Sequence, residues 1–246
     1  MKLAIMQPYF FPFIGYFQAI NAVDKYILYE NLDYIKDGWM NRNRVLIKDG
    51  NPSYLSVMVD GRSSNKKIHE IELNTSFNWR RKLLNKVFLN YKGSLFFDES
   101  YLLIEECINI DSDKLFIYNS KIVKKIADYL ELDTEIQYDN QHFLPLERKI
   151  ADGMMEGIKY EAKLMRVFEI CKYENADVFV NAIGGRALYD KIKFKENGID
   201  LYFVDTEEIE YKQFSANFHP NLSIIDVLMH NGKDRTKDLL NNYRLI

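Results

Sequence analysis

Apolar residues along this chain fall into two kinds of run. Short unbroken ones suit strands buried on both faces, and longer ones recurring every three or four positions suit helices. "KLAIM" (2–6) is of the first kind and predicts a buried parallel strand. "GYFQAINAV" (15–23) predicts a helix beginning at Gly15. "DKYILYENLDY" (24–34) predicts a strand centred on Tyr26, Ile27, Leu28 and Tyr29, and "PSYLSVMVD" (52–60) another, ending at the Asp60-Gly61 turn. Residues 78–91, "NWRRKLLNKVFLNY", predict a helix capped by Asn78, with Trp79, Leu83, Val87, Phe88 and Tyr91 as its buried stripe. "DSDKLFIYNSKIVKKIADYL" (111–130) predicts a second, capped by Asp111 or Asp113, with Leu115, Ile122, Ile126 and Leu130 inward. "EIQY" (135–138) is a short strand.

The last third alternates most clearly. A helix over 161–174 carries Leu164, Val167, Phe168 and Cys171 as its stripe, and the strand "ADVFVNAI" (176–183) follows. A Gly-Gly turn and short helix (184–198), the strand "IDLYFVD" (199–205) and the helix "NLSIIDVLMHNG" (221–232) complete it. That last helix is capped by Asn221 or Ser223 and stopped at Asn231-Gly232. Strand–helix–strand order with apolar strands predicts an α/β fold, a mostly parallel sheet flanked by helices and Rossmann-like. The length suits a single domain over residues 1–246, with a helical insertion at about 77–132.

Composition narrows the function. With net charge −3, a broad nucleic-acid footprint is not indicated. The 2 cysteines, Cys107 and Cys171, are too few and too distant for a disulfide framework. The 4 histidines are dispersed, so no metal site is expected. Gln7-Pro8 and Pro12 interrupt the N-terminal apolar run, and nothing approaches the ~20 apolar residues of a membrane span. A cytoplasmic protein without membrane contact is expected. Aromatics are abundant, 17 Tyr and 16 Phe. They mean a ring-rich core or a cleft walled by rings.

Several stretches offer chemistry. "MQPYFFPFIGYF" (6–17) joins the first strand to the first helix. In a parallel sheet such a loop lies at the carboxyl ends of the strands, where ligands bind, and the helix's free N–H groups suit an anion. Gln7 can offer an amide, with Tyr9 and Tyr16 as walls; the competing reading is a proline-braced core turn. The loop resembles that of the HIGH-type nucleotidylyltransferases in layout. Pro12 and Tyr16 stand where that class has histidines, so its architecture is kept and its chemistry is not.

"MNRNRVLI" (40–47) alternates Asn41 and Asn43 with Arg42 and Arg44, so extended backbone puts the arginines on one face, suited to a diphosphate or to guarding an edge strand. The cations of residues 79–92 form a basic face, for RNA or simply for solvent. Gly184-Gly185, after a strand and before a helix, permits close backbone approach, with Asn181 and Tyr189 beside it. His219, before Pro220, suits a proton shuttle, and Asp226 either orients a neighbour or extends a cap. Cys107 and Cys171 fall on helix stripes and read as core.

These segments in order resemble the WbqC-like protein family over nearly the whole chain. The carriers are "MQPYFFPFIGYFQAI", "NRNRVLI", "NAIGGRALYD" with "GIDLYF", and "YKQF…FHPNLSIIDVLMHNG". Members are commonly encoded among bacterial O-antigen and capsule genes, beside enzymes making amino-deoxy sugar nucleotides. The resemblance implies a transferase that acylates or aminoacylates the sugar amine. Tyr9, Tyr16 and Tyr211 then stack on a base, Arg42 and Arg44 hold the diphosphate, and Gln7, Asn41, Asn43 and Gln213 fix hydroxyls. Asn181 with the Gly184 and Gly185 amides supplies oxyanion donors, and His219 or Asp226 the base, although in the family only the neighbours of His219 recur. The partners implied are a nucleotide-linked amino sugar and an aminoacyl-tRNA or acyl-CoA donor; no bound cofactor is called for. The alternatives are a nucleotidyl- or glycosyl-transferring enzyme with the same pocket, or a non-catalytic module that binds a sugar nucleotide or a partner.

Overall fold

The computed structural model describes residues 1–154 and 159–246. In chain order the elements are β1 (Lys2–Met6), α1 (Ile14–Asn21), β2 (Lys25–Leu28), β3 (Arg42–Leu46), β4 (Pro52–Ser56), β5 (Val59–Asp60) and β6 (Glu72–Leu73). Then come α2 (Trp79–Tyr91), α3 (Phe97–Ile108), α4 (Leu115–Tyr129), β7 (Glu135–Gln137), α5 (Leu144–Met154) and α6 (Lys159–Tyr173). The chain closes with β8 (Val178–Ala182), α7 (Lys191–Glu196), β9 (Asp200–Thr206), α8 (Ile224–Leu239) and β10 (Tyr243–Leu245).

Six strands form the central sheet in the order β10-β9-β8-β1-β2-β7, and all pairings but β9–β10 are parallel. The protein is thus mixed α/β with a mostly parallel sheet, as the strand–helix alternation predicts. Period-two alternation splits its side chains between two cores. Ala4, Tyr26, Leu28, Val180 and Val204 join helices α1 to α4 and α8 on one face. Leu3, Ile27, Phe179, Leu201 and Phe203 join α6 and α7 on the other.

The structure corrects the sequence reading in several places. "PSYLSVMVD" is two strands outside the central sheet: β4 pairs antiparallel with β3, and β5 with β6. An additional helix, α3, runs through the acidic stretch after α2, with Asp98 and Glu99 in its first turn. Asn78 does cap α2, accepting from Arg81 N, but Phe88 of the predicted stripe is exposed. Neither Asp111 nor Asp113 caps α4. Its N-cap is Lys114, because Leu73 N binds Asp113 O and Leu115 N binds Ile71 O, which holds that segment extended against β6. Ser223, not Asn221, caps α8, and that helix does not stop at Asn231-Gly232. It breaks at Gly232 (φ 65°) and resumes to Leu239; a Cβ there would lie 2.5 Å from the Phe96 ring, so only glycine fits. On the basic helix, Arg80 is spent on the carbonyls of Ile108 and Ile110, and Lys86 on Ser53 and Tyr54 O. Among the described residues no helix is long and apolar enough to cross a membrane.

Candidate functional site

From β1 the chain builds the sheet outward through β2 to β7; from β8 it builds the other way through β9 to β10. The loops that leave the neighbouring strands β1 and β8 therefore diverge, and a crevice opens between them at the strands' carboxyl ends. A cavity of about 730 Å³ sits there, within the size range of small-molecule sites. Its walls come from the loop after β1 with the start of α1, from Trp39, Asn43 and Arg44, from Ala182–Ile183, from residues 204–211, and from Phe218, Pro220–Leu222 and Val227.

The aromatic loop is built to be rigid. Phe10 and Phe11 are fully buried, and Phe11 adopts φ +40°, a strained value for a side chain of this size. A loop buried this deeply must have its carbonyls satisfied. Asn43 Nδ2 donates to Phe10 O (3.2 Å) and Phe11 O (2.7 Å), and Ser223 Oγ also donates to Phe11 O (2.8 Å). Asn119 Nδ2 donates to Pro8 O (3.1 Å) and Tyr16 Oη to Gln7 O (3.0 Å). Gly15 lets α1 approach closely: a Cβ there would lie 2.4 Å from the Phe13 ring and 2.9 Å from Thr206 Oγ1. The loop is both a braced core turn and a wall, since Tyr9, Pro12 and Phe13 face the cleft.

Of the residues singled out from the sequence, Tyr9, Asn43, Arg44 and Tyr211 line this cavity. Gln7 and Tyr16 stand behind Tyr9, with Gln7 Nε2 donating to Tyr9 Oη (2.9 Å). Asn41, just before β3, and Asn43 within it are both buried, as the alternation predicts; Asn41 accepts from Tyr34 Oη and donates to Val57 O. Arg42 and Arg44 share the other face. Arg42 is engaged by Asp37, through its carbonyl and carboxylate, whereas among the described residues the Arg44 guanidinium has a single, long hydrogen bond, to Asn221 O (3.4 Å).

Asn181 Oδ1 accepts from Ala182 N (2.8 Å), and a Cβ on Gly185 would lie 2.5 Å from Asn181 Nδ2, so that glycine makes room for the amide. Gly184 and Gly185 lie in a single 3₁₀ turn rather than at a helix start, because α7 begins later, capped by Asp190. Tyr189 is not at the cleft; it packs with Phe179 and Phe194 in the core on the opposite face.

The tail forms a buried hub under the cleft. Asp226 has no exposed surface and accepts from Tyr91 Oη (2.6 Å), Tyr211 Oη (2.7 Å) and Gln213 Nε2 (3.0 Å). Buried carboxylates survive only when so satisfied. Burial, then the Asp226 charge, raises the pKa of both tyrosines. His230 Nε2 lies 3.9 Å from Asp226; burial lowers its pKa and Asp226 opposes that shift. Gln213 also clasps the His219 backbone, accepting from its N (2.8 Å) and donating to its O (3.1 Å). Phe218 and Pro220 line the cavity while the half-buried His219 between them does not.

Sequence reasoning passed over the acidic part of the lining. Asp205, near the end of β9, and Glu207, Glu208 and Glu210 after it line the cleft. Glu207 meets Arg244 (3.3 Å); Asp205, Glu208 and Glu210 have no hydrogen bond or ion pair through their side chains among the described residues. The signal was present as "DTEEIE" directly after a buried strand. Trp39 was also missed, and its indole borders Arg44. The cleft is thus bipolar, its lining carrying a guanidinium, several carboxylates and aromatic rings. Among the described residues no group of three or more His, Cys, Asp or Glu is placed to hold a metal ion.

The sequence matches the WbqC-like protein family over residues 7–238. It is also 27% identical over 240 residues to the uncharacterized protein Rv1507c of Mycobacterium tuberculosis, covering 95% of each chain. No solved structure matches it.

Proposed function

Because this chain belongs to the WbqC-like protein family, we propose that it is a transferase acting on an amino-deoxy sugar nucleotide in surface-polysaccharide synthesis, forming an amide at the sugar amine. The observation that carries this reading is the bipolar cleft at the point where the strand order reverses. Taken in chain order, the five parallel strands lie third, second, first, fourth, fifth across the sheet, which supports a Rossmann-like kinship and a nucleotide in that crevice. Arg44, the cleft-lining arginine, is the guanidinium left for a diphosphate. The unpartnered carboxylates suit the ammonium of the sugar. One of them takes a proton from that ammonium; the freed nitrogen attacks the acyl carbon of the donor; the N–C bond forms as the donor's C–O or C–S bond breaks, and the second proton shed by the nitrogen passes to the departing oxygen or sulfur. The HIGH-type chemistry is not proposed, since the Tyr16 hydroxyl is turned onto Gln7 O and the loop carries no imidazole.

The test is incubation with UDP- and dTDP-linked amino sugars, with charged tRNA or acyl-CoA, followed by mass measurement. A mass gain on the sugar nucleotide is expected, and the Glu208→Gln/Glu210→Gln variant should lose it. Ligand-induced thermal stabilisation without product would turn the reading toward a binding module. Absence of both product and stabilisation would overturn it.

A further inference from the structure

Beside the cleft, Trp39 and the hairpin β3–β4 form a ladder of planar groups whose two rings, Trp39 and Tyr54, the sugar-nucleotide reading leaves unused. Trp39 and Tyr54 are 40% and 46% exposed, a costly placement for two large rings. Their centroids lie 6.5 Å apart, inclined at 33°. A guanidinium adjoins each: Arg44 Cζ is 5.7 Å from the Trp39 ring centre and Arg42 Cζ 4.6 Å from that of Tyr54. Tyr54 stands opposite Arg44 in the antiparallel register, so the hairpin itself holds the ladder in place. The buried face of the same hairpin, with Asn43 and Leu55, is fastened to the core. Trp39 and Arg44 also line the cavity, so the ladder begins inside the cleft and leads out of it.

Exposed rings flanked by guanidiniums are suited to an unstacked nucleobase and its phosphates: the rings take the face of the base, and Arg42 beside Tyr54, whose ion pair with Asp37 is solvent-exposed, turns to the anion. A neutral apolar partner would strip water from the adjoining charges without return. We infer that the Trp39–Tyr54 ladder is a second subsite, which receives the adenine-nucleotide end of the acyl donor and lets its acyl group reach into the cleft. The inference rests on the acyl-transfer reading. Two donors share this chemistry: coenzyme A, with adenine and phosphates, and the 3′-terminal adenosine of a charged tRNA.

Intrinsic fluorescence tests it, because Trp79, the other of the 2 tryptophans, is only 3% exposed and a bound base quenches Trp39. Coenzyme A and the trinucleotide CpCpA are titrated separately against the intact protein, with UDP-glucosamine at saturation and again without it. Saturable quenching by coenzyme A supports the subsite and marks a thioester donor; quenching by CpCpA supports it and marks an RNA donor. Tyr54→Ala, an exposed position, should weaken binding roughly tenfold, and Trp39→Ala should abolish the quench. Three results would overturn the inference: no quenching by either probe with or without UDP-glucosamine, full affinity in Tyr54→Ala, or quenching by both probes only when UDP-glucosamine is omitted. The last would assign the rings to the sugar nucleotide's own base. Thermal stabilisation by UDP-glucosamine alone, measured in parallel, judges the parent reading separately.

Discussion

Asp226→Asn removes one charge from the hub and changes almost no volume. Three donors now share two carboxylate oxygens, Tyr91 on Oδ1, and Tyr211 and Gln213 on Oδ2. An amide offers one oxygen. Placed toward Tyr211 and Gln213, it turns its NH₂ on Tyr91, whose hydroxyl already accepts from Leu46 N and then has no acceptor for its own proton. Placed toward Tyr91, it sets NH₂ against the Gln213 amide, which cannot flip because its Oε1 holds His219 N. Either way at least one buried donor is stranded, at about 1–3 kcal/mol, and the remaining bonds lose their charge assistance. Relief from burying a charge offsets part of this. The expected net loss is about 2–4 kcal/mol, read as a shift of the urea midpoint at unchanged m-value. Tyr211→Phe removes one donor and should cost about 1 kcal/mol, and the double variant should be clearly non-additive. An Asp226→Asn protein within about 0.5 kcal/mol of the parent would refute the account of the hub as a fully engaged acceptor.

Gly15→Ala should destabilise the fold by about 1–3 kcal/mol and weaken cleft ligands, because the new methyl displaces the Phe13 ring; unchanged denaturation and binding would contradict the packing described. The burial-lowered pKa of His230 means the unfolded chain binds its proton more readily than the folded one. Its contribution is therefore complete above the unfolded value near 6.5 and is lost as pH falls toward the lower folded value. His230→Gln should flatten the fall in urea midpoint between about pH 7 and 5, and parallel curves would count against it. Burial pushes the Cys107 and Cys171 thiols up to about 12, so both should resist a thiol reagent in the native protein and react fully in urea. Rapid native labelling would show either thiol to be accessible.

The elements most legible in the sequence were those whose burial is written locally. The runs of β1, β8 and β9 are apolar because both faces are covered, and the stripes of α2 and α4 repeat at helical spacing. Asn78 and Ser223 cap helices through their own neighbours. Failures occurred where a distant contact overruled a local preference: Lys114 is held extended by β6, and Gly232 bends α8 around Phe96 rather than ending it. Asn43 and Asp226 were read as candidates for ligand chemistry, yet both are occupied with partners remote in sequence, Phe11 and Tyr91.

By itself, the order of apolar runs and turns determined the layer type, the loop after β1 as a wall of the site and the split of Asn and Arg across β3, since each depends on spacing along one backbone segment. Tertiary structure alone decided that β8 lies against β1, and with it that the loop wall, Arg44 and the carboxylates after β9 face one cavity. Strand order is set by which helices cover which face of the sheet. That balance of burial is summed over the whole chain, and no single stretch of sequence records it.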